Sequence, residues 1–445
     1  MTDRRLRIAE FTDNYGPGRS GILYAVQQLE GTLLAAGHEV IVVAPKAKGP
    51  NPHRDHRNRT EVRLESVRIP AVPARLATGR RGEKALERVA AMQPDLIHVH
   101  GLGLVGLMGV ALARRTGIPL IVTWHTDFDA YVEHYSALAP VMAGAWRLWR
   151  ARAGAQSVDI ERTIEIAGEA REAGRARADA DLLGASTAML EAATVVTTPS
   201  PKTASRVRQW TPDVDLRVIP NGVDPLPVSP SVRVPKISGV RFLYAGRIAP
   251  EKGMGILLDA MKIVKRHVPD AELLVVGAWK KDPLLRPRFV RARSKGRVRL
   301  TGEVDRSVIG SYYAASDVFV FPSMTDTQAL VLHEAAHAGL PLIVCDSELD
   351  LVVRDKVNGE FCAPDADALA GAMLRMIDRV GDPEWRARAA EVSRELAGQF
   401  TIASQDAAMI DLYEEVADRE GVRIPAAPKA SLWRRTRATL KALTS

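Results

Sequence analysis

The feature that most constrains this chain is an alternation that runs through it twice. Short runs of aliphatic and β-branched residues are each followed by a longer stretch of helical period. In the first half, residues 6–11, 39–44, 96–99, 120–124, 195–198 and 216–219 predict strands, with helices at 21–36, stopped by Gly37, and at 104–115. The run DPLPVSPSVRVPKISG then begins at Asp224 with four prolines and no helical period, which sets a linker at 225–239. After it the pattern restarts, with strands at 240–245, 272–277, 298–300 and 318–321, helices at 254–267 and 306–315, and helical sequence from Asp365 onward. Strands that alternate with helices imply a parallel sheet covered on both faces. The expected fold class is therefore α/β, with two tandem Rossmann-like, doubly wound parallel-sheet domains and a cleft between them. The expected boundaries are 1–224 for the first domain and 240–400 for the second. A helix at 401–422 should return to the first domain, followed by a basic tail at 423–445.

Composition narrows the class. A chain of 445 residues with 46% hydrophobic and 26% charged residues suits two globular domains. Its two cysteines, Cys345 and Cys362, argue against a disulfide framework and for a reducing compartment. The opening MTDRRLRIAEF leads straight into a strand without a signal-like apolar run, and the longest apolar run, residues 101–113, is too short to span a bilayer. The expectation is a cytoplasmic protein, at most peripheral on the inner face of a membrane. A net charge of +8 can attract nucleic acid, anionic lipid or small anions. Aromatic residues are only 5% and do not interleave with arginine on one face, so no nucleic-acid partner is expected. Residues 46–60 read as a long mobile loop, and residues 150–181 as an exposed helix or helical hairpin without a catalytic signature. The tail at 429–445 carries five positive charges, no acids and four apolar anchors, which allows contact with an anionic membrane or a frayed terminus.

Ligands of parallel sheets bind beyond the carboxyl ends of the strands. After the first strand comes TDNYGPGRSG, where Gly18 and Gly21 would let a phosphate approach the backbone. His100 and His125 each stand directly beyond a strand end. Arg247 and Lys252 lie in the loop after the first strand of the second half, where one cation offers a fork and the other a point charge to a diphosphate. The stretch 321–344, FPSMTDTQALVLHEAAHAGLPLIV, reads as strand, loop, helix, Gly339 stop and a further strand. It places Asp326 ahead of a helix N-terminus that favours an anion, and Glu334 further along the helix. Such a pair suits a nucleotide sugar, with one acid on sugar hydroxyls and the other on ribose hydroxyls. The alternative reading makes Asp326 a helix cap and Glu334 a solvated helix residue.

Together these runs resemble the retaining glycosyltransferases of family 4, which have the two-domain GT-B architecture. The resemblance covers nearly the whole chain. It rests on TDNYGPGRSGI, GHEV at 37–40, PDLIHVHG at 94–101, TWHTDF at 123–128, PSPKTA at 199–204, IPNGVD at 219–224, GRIAPEKG at 246–253, TDTQALVLHEAAHAGLPLIV at 325–344 and NGEFCAPDADALA at 358–370. It implies transfer of a hexose from a nucleotide diphosphate sugar. Gly21, with Gly18 in the same loop, would face the diphosphate, and His125 would sit beside the sugar. Arg247 and Lys252 would hold the diphosphate, Asp326 would contact the transferred sugar, Ala329 and Leu330 would offer backbone amides to phosphate, and Glu334 would bind ribose. The family uses no bound metal and no cofactor, so the Asp-x-Asp sequences at Asp179, Asp213 and Asp365 read as coincidence. Two departures touch the sugar pocket: the family usually has Glu in place of Asp326 and often Gly in place of Ala329. The opening loop and the Thr-Asp-Thr-Gln-Ala-Leu run look like the branch that glycosylates diacylglycerol, with small polyols as other acceptors. A sugar-nucleotide epimerase, a phosphorylase on the same fold and an inactive nucleotide-sugar-binding protein are the alternatives.

Overall fold

A strand covered on both faces should be mainly apolar, and β1 (Arg7–Thr12) is, apart from the buried Glu10. Ile8 packs with one helical layer, while Ala9 and Phe11 pack with the other. A computed structural model of the protein describes residues 5–15, 21–46, 53–68, 75–77, 82–101, 103–125, 144, 160–174, 176–279 and 282–419. Around β1 it builds a parallel seven-stranded sheet of order β3-β2-β1-β6-β7-β8-β9. The strands are β2 (Glu39–Pro45), β3 (Arg59–Leu64), β6 (Leu96–His100), β7 (Leu120–Thr123), β8 (Val195–Thr198) and β9 (Leu216–Val218), while β4 (Ser66–Arg68) and β5 (Arg75–Ala77) form a separate antiparallel pair. Helices α1 (Gly21–Ala35), α2 (Gly82–Ala91), α3 (Leu104–Thr116), α4 (Ile160–Glu172), α5 (Arg177–Glu191) and α6 (Pro201–Trp210) complete this unit.

The second unit is a parallel six-stranded sheet of order β12-β11-β10-β13-β14-β15. It comprises β10 (Arg241–Ala245), β11 (Glu272–Val276), β12 (Val298–Gly302), β13 (Val318–Phe321), β14 (Leu342–Val344) and β15 (Gly359–Phe361). Its helices are α7 (Met254–His267), α8 (Leu285–Ser294), α9 (Arg306–Ala314), α10 (Leu330–His337), α11 (Ala366–Val380) and α12 (Pro383–Gly398). In each sheet the strand order reverses beside the first strand, so each has a crevice at its carboxyl edge. Asp365 has a structural duty as the N-cap of α11, accepting from the Ala368 amide at 2.8 Å. Cys345 and Cys362 follow adjacent strands and bring their Sγ atoms to 3.7 Å, both as free thiols.

The last described helix, α13 (Ile402–Arg419), crosses back to the first unit. Its Met409, Leu412, Tyr413 and Val416 pack in one layer with Leu6, Ile8, Leu29 and Leu33. The Tyr413 hydroxyl and His98 Nδ1 are hydrogen-bonded at 2.6 Å inside that layer. Among the described residues no helix is long and apolar enough to cross a membrane.

Two expectations need correction. Of residues 46–60, expected as one mobile loop, 47–52 lie outside the described residues, and the described part is not loop throughout. His53 bonds the Gln27 carbonyl at 3.0 Å, and β3 begins at Arg59, whose buried guanidinium pairs with Glu30. The alternating charges Arg59, Glu61 and Arg63 disguised an edge strand as a polar loop. The polar stretch 150–181 does contain a hairpin, α4 against α5, but one side of it is not exposed. Ala167, Ala170, Ala180 and Leu183 join the core of the first unit. Residues 150–159, the basic tail and Gly18 lie outside the described residues.

Because α13 shares a buried hydrogen bond with the first sheet, Tyr413→Phe should leave His98 Nδ1 unpaired. The expected loss is about 1–3 kcal/mol of stability, read as a lower urea midpoint with an unchanged slope.

Candidate active site

The two carboxyl edges face each other, and the loops that leave them meet. On the second unit the loop after β10 carries Lys252, whose Nζ sits 2.8 Å from Asp326 Oδ2. Asp326 lies in the loop after β13 and also accepts from the Ser323 hydroxyl. Burial acts to raise the Asp326 carboxyl. Lys252's charge and hydrogen bond, the Ser323 hydroxyl and the charge of Lys202 outweigh it and hold the group below the ordinary aspartate value. Asp326 is therefore a carboxylate, not a helix cap. The N-cap of α10 is Ala329, which makes no side-chain cap bond and stands in the left-handed region at φ 58°, ψ 72°.

Glu334 is the fifth residue of α10, about 6 Å along its axis from Leu330. It is 5% exposed, not solvated. One oxygen accepts from Arg306 at 2.6 Å and the other from the Tyr313 hydroxyl at 2.8 Å. Arg306 in turn lies over the Tyr24 ring of α1, 5.4 Å from its centroid, which ties the acid to the first unit. Arg247 is half-exposed and pairs with Glu251 in its own loop at 2.5 Å. Its carbonyl accepts from the buried Tyr244 hydroxyl at 2.7 Å.

On the first unit, α1 starts at Gly21. A Cβ there would lie 3.7 Å from Leu330 Cδ1, so the first turns of α1 and α10 abut. Upstream of it, Asp13 caps α3 by accepting from the amides of Val105 and Gly106 at 3.1 and 3.3 Å. Gly103 makes room for that carboxyl, since a Cβ would come within 2.4 Å of it. His125 follows β7. Its Nε2 is 3.4 Å from His100 Nδ1, and its carbonyl accepts from the Thr327 hydroxyl of the second unit at 3.3 Å. Burial pushes the His125 imidazole down to about 4, so it is neutral at physiological pH and can exchange single hydrogen bonds with hydroxyls.

The structure thus brings Gly21, His125, Lys252, Asp326, Ala329 and Leu330 to one boundary. Glu334 is joined to them through α10, and Arg247 is turned onto Glu251. Several neighbours escaped the sequence reading. Ser200 and Lys202, inside the noted PSPKTA run, reach the Asp326 loop from the first unit. Gln328 holds Asn221 through its backbone N–H, carbonyl and side chain, at 2.8–2.9 Å. Tyr313 and Arg306 gave no signal at all, because their partner is 21 and 28 residues away.

Behind His100 lies a buried group of Glu10, His98 and His100 whose potential ligand atoms are within 4.8 Å of one another. Burial, and then the charge of Glu30, push the Glu10 carboxyl well above the usual range, which favours a neutral acid. Both nitrogens of His98 are already taken, by Tyr413 and by Thr123 at 2.6 Å each. Only Glu10 and His100 keep capacity, fewer than the three protein ligands that zinc sites use.

Two family models match the chain. "Glycosyltransferase Family 4" covers residues 20–164 and "Glycosyl transferases group 1" covers residues 239–379. The alpha-monoglucosyldiacylglycerol synthase of Acholeplasma laidlawii is 26% identical over 377 residues, spanning 80% of this chain and 84% of that protein. A GDP-mannose-dependent alpha-mannosyltransferase of Mycolicibacterium smegmatis is 25% identical over 354 residues, 77% of this chain and 80% of its own length. Among solved structures, the sucrose-phosphate synthase of Thermosynechococcus elongatus matches with a TM-score of 0.66 at 23% identity, over 93% of this chain and 99% of that one. Anabaena Alr3699/HepE in complex with UDP and glucose matches with a TM-score of 0.65 at 18% identity, over 92% and 100%.

A left-handed alanine costs what a glycine does not. Ala329→Gly should therefore raise stability by about 1 kcal/mol, net of the entropy glycine adds to the unfolded chain, while Ala329→Val should lower it. Urea midpoints of the two variants would check the opposite signs.

Proposed function

We propose that this chain, which belongs to the two-domain glycosyltransferases of family 4, moves a hexose from a nucleotide diphosphate sugar to an acceptor hydroxyl with retention of the anomeric configuration. The observation that carries this reading is the meeting, at one domain boundary, of two helix N-termini, the Lys252–Asp326 pair and a neutral His125. Helix N-termini and a lysine favour a diphosphate, and a carboxylate and an imidazole favour sugar hydroxyls.

In this mechanism the bond between the anomeric carbon and the phosphate oxygen breaks, and the nucleoside diphosphate leaves. Lys252, Arg247 and the amides at Ala329 and Leu330 neutralise the charge that develops on it, without a metal. The sugar passes through an oxocarbenium-like state held by Asp326 and His125. The acceptor oxygen bonds the anomeric carbon on the face the phosphate vacates, and its proton goes to a phosphate oxygen. Glu334, fixed by Tyr313 and Arg306, takes ribose hydroxyls. The favoured acceptor is a glycerolipid hydroxyl, in keeping with the diacylglycerol-glucosylating relatives, with small polyols next. The basic tail at 429–445 would then contact an anionic membrane on its cytoplasmic face.

The test is a panel of UDP- and GDP-hexoses with and without diacylglycerol in mixed micelles, read by nucleoside diphosphate release and by the anomeric NMR signals of the product. One α-linked donor that gives an α-glycoside only when acceptor is present is the expected result. An inverted product would sink the retaining mechanism. Epimerised donor would favour an epimerase, and tight nucleotide binding without turnover an inactive binder.

Two further outcomes follow from the site. Gly21 is the first residue of α1, where a methyl group makes only ordinary contact with Leu330. Gly21→Ala should leave stability unchanged or raise it by less than about 1 kcal/mol, yet it should raise the donor KM about tenfold by crowding the diphosphate. The pH profile of kcat/KM should stay flat down to about pH 4, where His125 takes up a proton. Lys252→Met, which removes the charge holding Asp326 low, should move that acid limb to higher pH.

A further inference from the structure

We propose that Lys202 is a positioning residue that holds the Asp326 loop in its working shape across the domain boundary, an inference that rests on the transferase reading above. Lys202 stands in the first turn of α6 in the first unit, yet its ammonium reaches three acceptors in the second. Its Nζ donates to the carbonyls of Met324 and Asp326 at 3.1 Å each, and to Asp346 Oδ2 at 2.7 Å. An ammonium has three N–H bonds, and these three oxygens match them. Both side chains of the Lys202–Asp346 pair are 3% exposed.

The neighbouring contacts act on the same loop. Ser200, the N-cap of α6, accepts from the Thr203 amide and donates its hydroxyl to the Thr327 carbonyl. Thr327 in turn donates to the His125 carbonyl. Three of the four carbonyls from Met324 to Thr327 are therefore bound by the first turn of α6. Lys252 and Ser323 fix the Asp326 carboxylate from within the second unit, while Lys202 fixes its backbone from the first. A carbonyl anchored this way sets the loop's dihedrals and hence the direction of the Asp326 side chain. Separating the domains would strip the loop of these donors, so domain closure and assembly of the sugar-binding carboxylate become one event.

The experiment compares wild type, Lys202→Met, Asp346→Asn and Arg206→Ala as full-length enzymes. Arg206 makes an exposed ion pair with Glu348 across the same boundary and touches none of the loop carbonyls, so it controls for simple loosening of the interface. Lys202→Met should lower kcat about 100-fold, as a small misplacement of a reacting group does. Its donor KM should stay within about threefold. Amide exchange at residues 322–329 should speed up without a matching change in the core strands. Asp346→Asn should show the same pattern more weakly, and Arg206→Ala should keep kcat within about twofold.

A Lys202→Met enzyme with near-wild-type kcat and unchanged exchange at 322–329 overturns the proposal. So does an Arg206→Ala loss as large as that of Lys202→Met. If Lys202→Met does not fold, Asp346→Asn decides, and unaltered kcat together with unchanged exchange at residues 323–329 there overturns it equally. Should wild type turn over no donor, the transferase reading fails by itself, and the exchange comparison still judges whether Lys202 shapes the loop.

Discussion

A parallel sheet puts every strand-to-helix loop on one edge, and this chain sets two such edges against each other. Nearly everything at the candidate site follows from that constraint. Gly21 and His125 follow strands of the first sheet, and Lys252 and Asp326 follow strands of the second. Residues separated by up to about three hundred positions meet because their strands end at the same level. Neither edge alone brings together both helix N-termini, the Lys252–Asp326 pair and the neutral imidazole of His125.

Loops at such an edge carry backbone carbonyls and amides that no sheet satisfies, and burying them between domains demands partners. The chain meets that demand across the boundary. Gln328 of the second unit satisfies the Asn221 amide and carbonyl, Gln405 accepts from Gly222 at 2.7 Å, and α6 takes the carbonyls ahead of Gln328. Gly222 is needed where it stands, because a Cβ would approach the Thr401 carbonyl oxygen within 2.3 Å. The polar interface therefore has two parts. One lies at the chain crossings near 221 and 401, and one lies at the Asp326 loop.

Both doubly wound sheets were legible in the sequence because their central strands are buried on both faces and read as short, mainly apolar runs, despite the buried Glu10 in β1 and His98 in β6. The edge strand β3 was not, because Arg59, Glu61 and Arg63 gave it the composition of a loop. The residues that meet at the boundary were legible through the loops after strands, helped by the family resemblance. The partners that condition those residues were not. Lys202 looks like any lysine in the first turn of a polar helix, and the oxygens that bury it come 122 to 144 residues later. The left-handed turn at Ala329 was hinted at only by the glycine often found there in the family. Glu334 could be seen as an acid on a helix, but its burial depends on Tyr313 and Arg306, which only the fold brings near.

The contact between α1 and α10 limits how the site can work. Leu330 Cδ1 is at van der Waals distance from where a Gly21 side chain would begin, and Arg306 bridges Glu334 to Tyr24 on α1. Any group seated between those helix termini would need both contacts to loosen. The aliphatic packing of each sheet cannot supply that motion, since each core is close-packed around its own strands. The polar contacts between the units can, because water replaces hydrogen-bond partners at little cost when a cleft opens. Because the Asp326 loop meets the first unit through a few buried polar contacts, while the apolar packing of α13 on the first unit lies elsewhere, this edge is built so that it can open and close without disturbing either core.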